Sequence, residues 1–185
     1  LNADAGESAS ELVARLDEAE LARILDDFGE ERFARKIARA IKERLLRAPF
    51  KDTADLAMLI AQAIPRRFHP PSTHPATRSF QALRIAVNGE LDSLDAFLPA
   101  AFASLKIGGR LVVMSYHSLE DRRVRHAMLG WEHPCNCPPR LPCVCGKKPT
   151  AQILTRKPIS ASPKECESNP RARSAKLRIA QRIGA

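Results

Sequence analysis

Apolar residues in the first third of the chain recur at the spacing of amphipathic helices. Gly29 is predicted to end one of these helices as a C-cap, and Asp52 or Thr53 fits the N-cap of a later one that Pro65 closes. The pattern predicts three or four short helices packed into a small bundle. Its apolar positions are Leu12, Leu16, Leu21, Ile24, Leu25, Phe28, Phe33, Ile37, Ile41, Leu45, Leu56, Leu59, Ile60 and Ile64.

A connector rich in proline and histidine, residues 65–76, follows this bundle and predicts a domain boundary near residue 75. A longer helical pattern then runs from Phe80 to Leu105. Gly89 and Pro99 are the positions at which that helix is expected to bend or split.

The next segment predicts an α/β unit. A Gly108–Gly109 turn leads into the apolar run 110–116, which is typical of a buried strand in a parallel sheet. Ser118 is the predicted N-cap of the helix after it, with acidic side chains in the first turn. Residues 176–183 alternate with a period of two, which predicts a half-buried strand near a sheet edge.

Charge is distributed unevenly along the chain, whose formal net charge is +9. Residues 140–185 hold 11 basic and 2 acidic side chains, whereas residues 1–60 hold 10 and 13. A basic segment of this kind favours a polyanionic partner such as nucleic acid, and a solvated, solubilising tail is the alternative. No apolar run approaches the roughly 18 residues of a membrane span, so no membrane association is expected.

Four of the five cysteines lie within eleven residues of a proline-rich segment, about 130–170, that is predicted to be mostly loop. They follow the pattern Cys-x-Cys-x5-Cys-x-Cys, which supplies the four thiolates of a tetrahedral zinc site, although two-residue gaps are commoner. His133 offers a substitute ligand. The preferred interpretation is no metal and reduced cysteines in a cytoplasmic protein, with zinc as the alternative. The zinc candidates are Cys135, Cys137, Cys143 and Cys145.

Two further segments carry polar side chains in patterns that suit RNA. One ridge of a predicted helix presents guanidinium and amide groups, which fit phosphates and base edges. The alternative interpretation is an exposed helix face that carries structural salt bridges. A basic turn before the last strand suits contacts to a nucleic-acid backbone. The ridge comprises Arg78, Gln81, Arg84 and Asn88, and the turn contains Asn169, Arg171 and Arg173.

His117 and Ser118 follow the predicted strand directly. Ligands of open α/β sheets bind beyond the carboxyl ends of strands, and helix N-termini attract anions. Function and structure are equally good explanations of His117, whereas capping alone suffices for Glu120 and Asp121.

Three blocks, residues 74–84, 108–122 and 169–178, resemble signature motifs of the RsmH (MraW) methyltransferase family. Residues 29–38 resemble a fourth, in that family's inserted helical domain. One departure is Tyr116, where the family more often has phenylalanine.

The resemblance implies an α/β, Rossmann-like class I methyltransferase fold interrupted by an all-α substrate-recognition domain. Residues 1–75 would be that insert and residues 76–185 the second half of the catalytic domain. The implied reaction transfers a methyl group from S-adenosylmethionine to the N4 amine of a cytidine in 16S rRNA of the small ribosomal subunit. A homodimer is one option for its assembly. The implied RNA contacts are Arg78, Gln81, Arg84, Asn88, Arg122, Asn169, Arg171 and Arg173, with His117 and Ser118 at the rim of the pocket.

The eight glycines do not form the glycine-rich loop that such an enzyme uses for its cofactor. The donor is therefore expected to bind mainly to a half that precedes residue 1, together with the main catalytic loop, and the 185 residues are predicted to be inactive alone. Two other hypotheses stay open. One is a stand-alone RNA-binding module without catalysis, and the other is a zinc-knuckle nucleic-acid binder centred on the cysteines.

Overall fold

The computed structural model describes residues 6–138 and 144–184. Its contacts divide the chain into two compact units, Leu1–Glu90 and Leu91–Ala185. The first unit thus extends beyond the domain boundary predicted near residue 75, because the helix after the connector packs on the helices before it. The assignment of residues 76–90 to a catalytic domain stays a prediction.

The first unit is helical, and the four helices found between residues 8 and 64 confirm the bundle predicted there. Side chains from their apolar stripes are fully buried, among them Leu21, Leu25 and Ile37. Each such side chain stabilises the bundle by roughly 1.5–3 kcal/mol. The elements are α1 (Ala9–Arg15), α2 (Glu18–Gly29), α3 (Ala34–Leu45), α4 (Thr53–Ala63), a short 3-10 helix (Arg66–Phe68) and α5 (Thr77–Asn88).

Side chains cap three of these helices, and one of the caps confirms a prediction from the sequence. Asp52 is the N-cap of α4, and its carboxylate accepts a hydrogen bond from the backbone N–H of Asp55 at 2.8 Å. Ser8 and Asp17 complete capping boxes at α1 and α2. Each cap satisfies backbone donors that would otherwise lack a partner, which contributes about 1 kcal/mol.

The helix does end at Gly29 as predicted, but Gly29 is not its C-cap. Gly29 is the last residue of α2, and the residue in the left-handed conformation is Glu30, at φ 48°. A Cβ on Gly29 would lie 2.8 Å from the carbonyl oxygen of Arg78 and 3.2 Å from the Cβ of Ala82. Glycine therefore serves here to let α2 and α5 approach each other closely.

The second unit mixes helices and strands. The long helical pattern splits at Gly89, which adopts a left-handed φ of 56°, and Pro99 lies within the second helix without ending it. Gly108, at φ 85°, forms the predicted turn into the first strand. The elements are α6 (Glu90–Ala103), β1 (Arg110–Ser115), α7 (Ser118–Glu132), β2 (Ala151–Ile153), β3 (Ile159–Ser160), α8 (Pro163–Ser168), a second 3-10 helix (Pro170–Ser174) and β4 (Lys176–Arg182).

The sheet corrects one expectation and leaves another open. Strand β4 pairs antiparallel with β1 on one side and with β2 and β3 on the other, so the described strands include no parallel partner for β1, and the parallel sheet stays a prediction. The last strand is central, whereas the sequence predicted an edge. Alternation did not distinguish the two because a central strand of an antiparallel sheet also has one buried and one open face.

Helix α7 packs against one face of this sheet. Val124 and Met128 of α7 form a buried cluster with Leu98 of α6 and Ala180 of β4. The single tryptophan, Trp131, stacks on Phe102 with ring centroids 4.1 Å apart. Among the helices of the described residues, none is both long and apolar enough to cross a membrane.

Candidate nucleic-acid interface

The turn after β1 is held by one carboxylate. Ser115, the last residue of β1, is buried and donates a hydrogen bond from its hydroxyl to the carbonyl of Lys176 at 3.3 Å. The Glu120 carboxylate then accepts hydrogen bonds from the backbone N–H groups of Tyr116, at 2.7 Å, and His117, at 3.3 Å. The turn is therefore fixed, and the Tyr116 side chain, 54% exposed, projects from it.

His117, not Ser118, is the N-cap of α7, which corrects the prediction for Ser118. The Nδ1 atom of His117 accepts a hydrogen bond from the backbone N–H of Glu120 at 3.4 Å. Its Nε2 atom lies 3.4 Å from the Glu120 carboxylate. His117 thus has a structural task that accounts for its place, while Ser118 is the first, exposed residue of the helix.

The sequence suggested that Asp121 completes the helix cap, but it has a different role. It forms a buried two-point ion pair with Arg178 of β4, in which Nε and Nη2 of the guanidinium lie 2.6 Å and 3.0 Å from the two carboxylate oxygens. The Arg178 guanidinium, which donates these hydrogen bonds, holds the pKa of Asp121 below its usual range, and the nearby Lys176 ammonium adds to the effect. This pair fastens α7 to the central strand just behind the turn.

Sequence reasoning missed the role of Arg178. The signal was an arginine on the inward face of an alternating strand, two residues before the buried Ala180, together with an acid in the first turn of a helix. A buried arginine requires a charged partner, so an inward arginine predicts one.

The basic turn before β4 is anchored by a buried alanine. Ala172 is buried within the 3-10 helix Pro170–Ser174, and its N–H donates a hydrogen bond to the carbonyl of Asn169 at 3.0 Å. Since the middle residue points inward, Arg171 and Arg173 on either side of it are exposed. The local fold thus presents two guanidinium groups to solvent.

An open groove of about 400 Å³ brings this turn together with the end of β1. Met114 and Tyr116 line one part of it, and Asn169 and Arg171 line another. Its walls therefore include an exposed aromatic ring, a guanidinium and an amide, a combination suited to stacking and hydrogen bonding with an unpaired base. Two of the sequence blocks, far apart along the chain, meet here.

The polar ridge on α5 is engaged within the helical unit. Arg78 donates a hydrogen bond from Nη1 to the carbonyl of Glu30 at 3.1 Å, and Gln81 donates from Nε2 to the carbonyl of Phe28 at 3.4 Å. Both acceptors lie at the C-terminal end of α2, where helix carbonyls lack partners along the helix. These two side chains thus cap α2 from the neighbouring helix.

The other half of the ridge binds one carboxylate. Arg84 donates two hydrogen bonds to Glu90, at 2.8 Å and 3.0 Å, and Asn88 donates a third at 3.1 Å. The Arg84 side chain nevertheless stays 52% exposed. It lines an open groove of about 480 Å³ with His74 and Gln81. Structural pairing therefore explains the ridge, and an RNA role for it stays a prediction.

Arg122 lies on α7 and is exposed. It lines a shallow pocket together with Arg123 and His126, and the neighbouring Arg123 pairs with Asp95 at 2.9 Å. Its contact with RNA stays a prediction.

The chain is similar to proteins of one known family. The model of the family described as the MraW methylase family matches residues 1–183. A protein of Trichlorobacter lovleyi, named ribosomal RNA small subunit methyltransferase H, is 52% identical over 180 residues, which is 97% of this chain and 58% of that protein. Proteins with the same name are 51% identical over 181 residues in Anaeromyxobacter sp. and 49% identical over 179 residues in Myxococcus xanthus. The chain spans 58% of the length of each of these relatives.

Proposed function

Because the chain belongs to the MraW methylase family, we propose that it is part of an enzyme that methylates 16S rRNA of the small ribosomal subunit, at the N4 amine of a cytidine, in the cytoplasm. The methyl donor would be S-adenosylmethionine. The share contributed by these 185 residues would be to grip and orient the RNA.

The observation that carries this proposal is the groove that joins the end of β1 to the basic turn. Tyr116 offers an exposed aromatic face, and Arg171 and Asn169 offer donors beside it. Single-stranded RNA is recognised largely by stacking on aromatic rings and by contacts of arginine with phosphates and base edges. Base stacking of this kind is worth about 1–3 kcal/mol for each base.

The reaction explains why grip matters. The amine of cytosine is a poor nucleophile because its lone pair is delocalised into the ring, so the base must be held in line with the methyl group in a dry pocket. The base must also leave its stack to reach that group. Residues that bind the flanking backbone supply the binding energy for both requirements.

The described residues do not fit a donor site of the usual kind. Such a site uses a glycine-rich loop between a strand and the helix after it. Here β1 is followed by Tyr116 and His117, and the N-terminus of α7 is already capped by His117. We therefore place the donor site and the main catalytic loop outside these 185 residues, and we expect the 185 residues alone to be inactive.

The sheet supports a Rossmann-like arrangement for the whole catalytic domain. Val112 of β1 is 54% exposed, although α/β domains of this class cover both faces of their sheet. Within the described part of the chain, β1 also pairs along one edge alone. We propose that a further strand of the full-length protein pairs with this edge of β1 and that its helices cover the sheet at Val112. The groove at the carboxyl end of β1, lined by Tyr116 and Arg171, would stay open. A homodimer stays a prediction.

The decisive experiment uses the full-length parent protein with S-adenosylmethionine and immature small subunits. Mass spectrometry of the nucleosides from 16S rRNA is expected to show N4-methylated cytidine. If the cytidine amines stay unmodified while the protein still binds the subunit, it is an RNA-binding protein and the proposed activity is wrong.

A second experiment tests the groove. In the same protein, Arg171→Ala with Arg173→Ala should weaken binding to an rRNA fragment and reduce the slope of log affinity against log salt by about one for each phosphate that the variant no longer binds. Arg156→Ala with Lys157→Ala removes the same charge from exposed positions in the same unit and serves as the control. Equal slopes for the two double variants would remove the basic turn from the interface.

A further inference from the structure

Three cysteine sulfurs converge in the segment between α7 and β2. The Sγ atoms of Cys135, Cys137 and Cys145 all lie within 4.8 Å of one another, although Cys145 is separated from the other two along the chain. With zinc–sulfur bonds of about 2.3 Å, thiolates around a tetrahedral ion stand about 3.8 Å apart. The observed limit of 4.8 Å therefore lets all three sulfurs reach one ion after a small adjustment.

Hydrophobic burial does not explain the convergence. Cys135 and Cys145 are exposed, and the apolar side chain beside Cys145, Val144, is 88% exposed. Within the described part of residues 133–150 there is no regular helix or strand to fix the sulfurs. The described part of this loop buries little apolar surface that could offset its ordering entropy, whereas a shared metal ion would contribute free energy for this purpose.

The segment is anchored at its two ends and turns sharply beside the cluster. His133 donates a hydrogen bond from its N–H to the carbonyl of Leu129 at 2.7 Å, and Thr150 donates one to the carbonyl of Trp131 at 2.9 Å. Gly146 adopts a left-handed φ of 63°, which lets the chain reverse directly after Cys145. A cross-link between the sulfurs would close the loop that these two hydrogen bonds begin.

We propose that Cys135, Cys137 and Cys145 are thiolate ligands of one zinc ion that staples this loop. Zinc is the first-row ion best suited to several thiolates in a tetrahedral, redox-inactive site. Lys147 and Lys148, both exposed, follow within three residues and offset the negative charge of the thiolates. This replaces the sequence-based preference for no metal.

Two other residues of the sequence motif stand differently. His133, the substitute ligand considered from the sequence, lies outside the sulfur cluster and its Nε2 atom is 3.2 Å from the Glu132 carboxylate. Cys143, the remaining cysteine of the motif, lies outside the described residues. The proposal therefore rests on the three sulfurs that the structure places together.

The test measures metal, so it is independent of methylation. Chain purified with zinc and reductant is analysed by mass spectrometry for zinc, and titrated with Co²⁺ to detect thiolate-to-metal charge-transfer absorption. We expect one zinc per chain and this absorption in the wild type. Cys137→Ser should lower zinc affinity more than about tenfold, because a ligand has a larger effect than its supporting partners. Cys166→Ser is the matched control, because it removes the fifth cysteine of the chain, which lies on α8 outside the cluster, and it should retain zinc.

A stability readout keeps the proposal falsifiable if Cys137→Ser folds poorly. Chelation of the wild type should speed trypsin cleavage of the bond between Lys147 and Lys148, since the loop would lose its cross-link. Wild-type chain with reduced thiols that binds neither zinc nor Co²⁺ would overturn the proposal. An intact mass lower by the hydrogens of a disulfide, without metal, would overturn it as well.

Discussion

Replacing Asp121 by asparagine tests the energetics behind the candidate interface. The substitution keeps the shape of the side chain and removes the negative charge that faces Arg178. The two side chains are only 12% and 8% exposed, so the guanidinium would be left buried without a counter-charge. The turn that presents Tyr116 depends on the same end of α7.

The structure sets the expected magnitude. Removing one partner of a fully buried ion pair costs about 3–5 kcal/mol, because the remaining charge stays desolvated. The asparagine oxygen can still accept one hydrogen bond, and Lys176, whose ammonium lies 3.6 Å from Asp121, loses little. We therefore expect a loss near the lower end, about 3 kcal/mol, which is a large part of the stability of a typical domain.

Urea unfolding monitored by fluorescence provides the assay. Trp131 is the single tryptophan and stacks on Phe102 in the second unit, so its emission reports the unfolding of that unit. With a slope of about 1.5 kcal/mol per molar urea, the midpoint should fall by about 2 M.

Asp95→Asn is the matched control for this substitution. Its partner Arg123 lies 2.9 Å away in the same unit, but Asp95 is 52% exposed, so solvent screens the pair and the loss should stay below about 1 kcal/mol. Equal destabilisation by the two substitutions would refute the claim that burial gives the Asp121–Arg178 pair its effect. Combining Asp121→Asn with Arg178→Met should cost less than the sum of the single changes.

Two other predictions concern the pH dependence of the Asp121–Arg178 pair and the close packing at Gly29. Because the folded-state pKa of Asp121 is lowered, its stabilising effect is present above the unfolded-state value near 3.8 and is lost as pH falls through the folded-state value. The difference in unfolding free energy between wild type and Asp121→Asn should therefore be constant from about pH 7 to 5 and vanish in stronger acid. A difference that persists in strong acid would contradict this prediction. Gly29→Ala should destabilise the helical unit by about 1–3 kcal/mol in thermal unfolding followed by circular dichroism, because the new Cβ meets the Arg78 carbonyl at 2.8 Å. The control is Gly130→Ala, which has no atom within 4 Å of its added Cβ and should leave stability unchanged or raise it.

Much of the local structure could be predicted because its causes are local. The apolar stripes of α2 and α3, the Asp52 cap and the break at Gly89 each depend on residues within about one helical turn. The same holds for the turn at Gly108 that introduces β1.

The candidate interface could be predicted only in part. The residues of the basic turn were found from their charge, and the structure places them beside the end of β1. The ridge on α5 was predicted as a surface for RNA, yet Arg78 and Gln81 bind carbonyls of α2, which no spacing within α5 could reveal. Partners far apart in sequence have to be brought together by folding before their hydrogen bonds can be recognised.

From the sequence one could derive the buried stripes of the first helices, the approximate places of β1, α7 and β4, and the family motifs that the chain carries. The tertiary structure alone decided that the last strand is central, that Gly29 serves helix packing, that Asp121 belongs to Arg178 and that three cysteine sulfurs meet. The physical reason is that burial periodicity and capping are written within single segments, whereas strand order, buried ion pairs and metal ligands depend on which segments pack together.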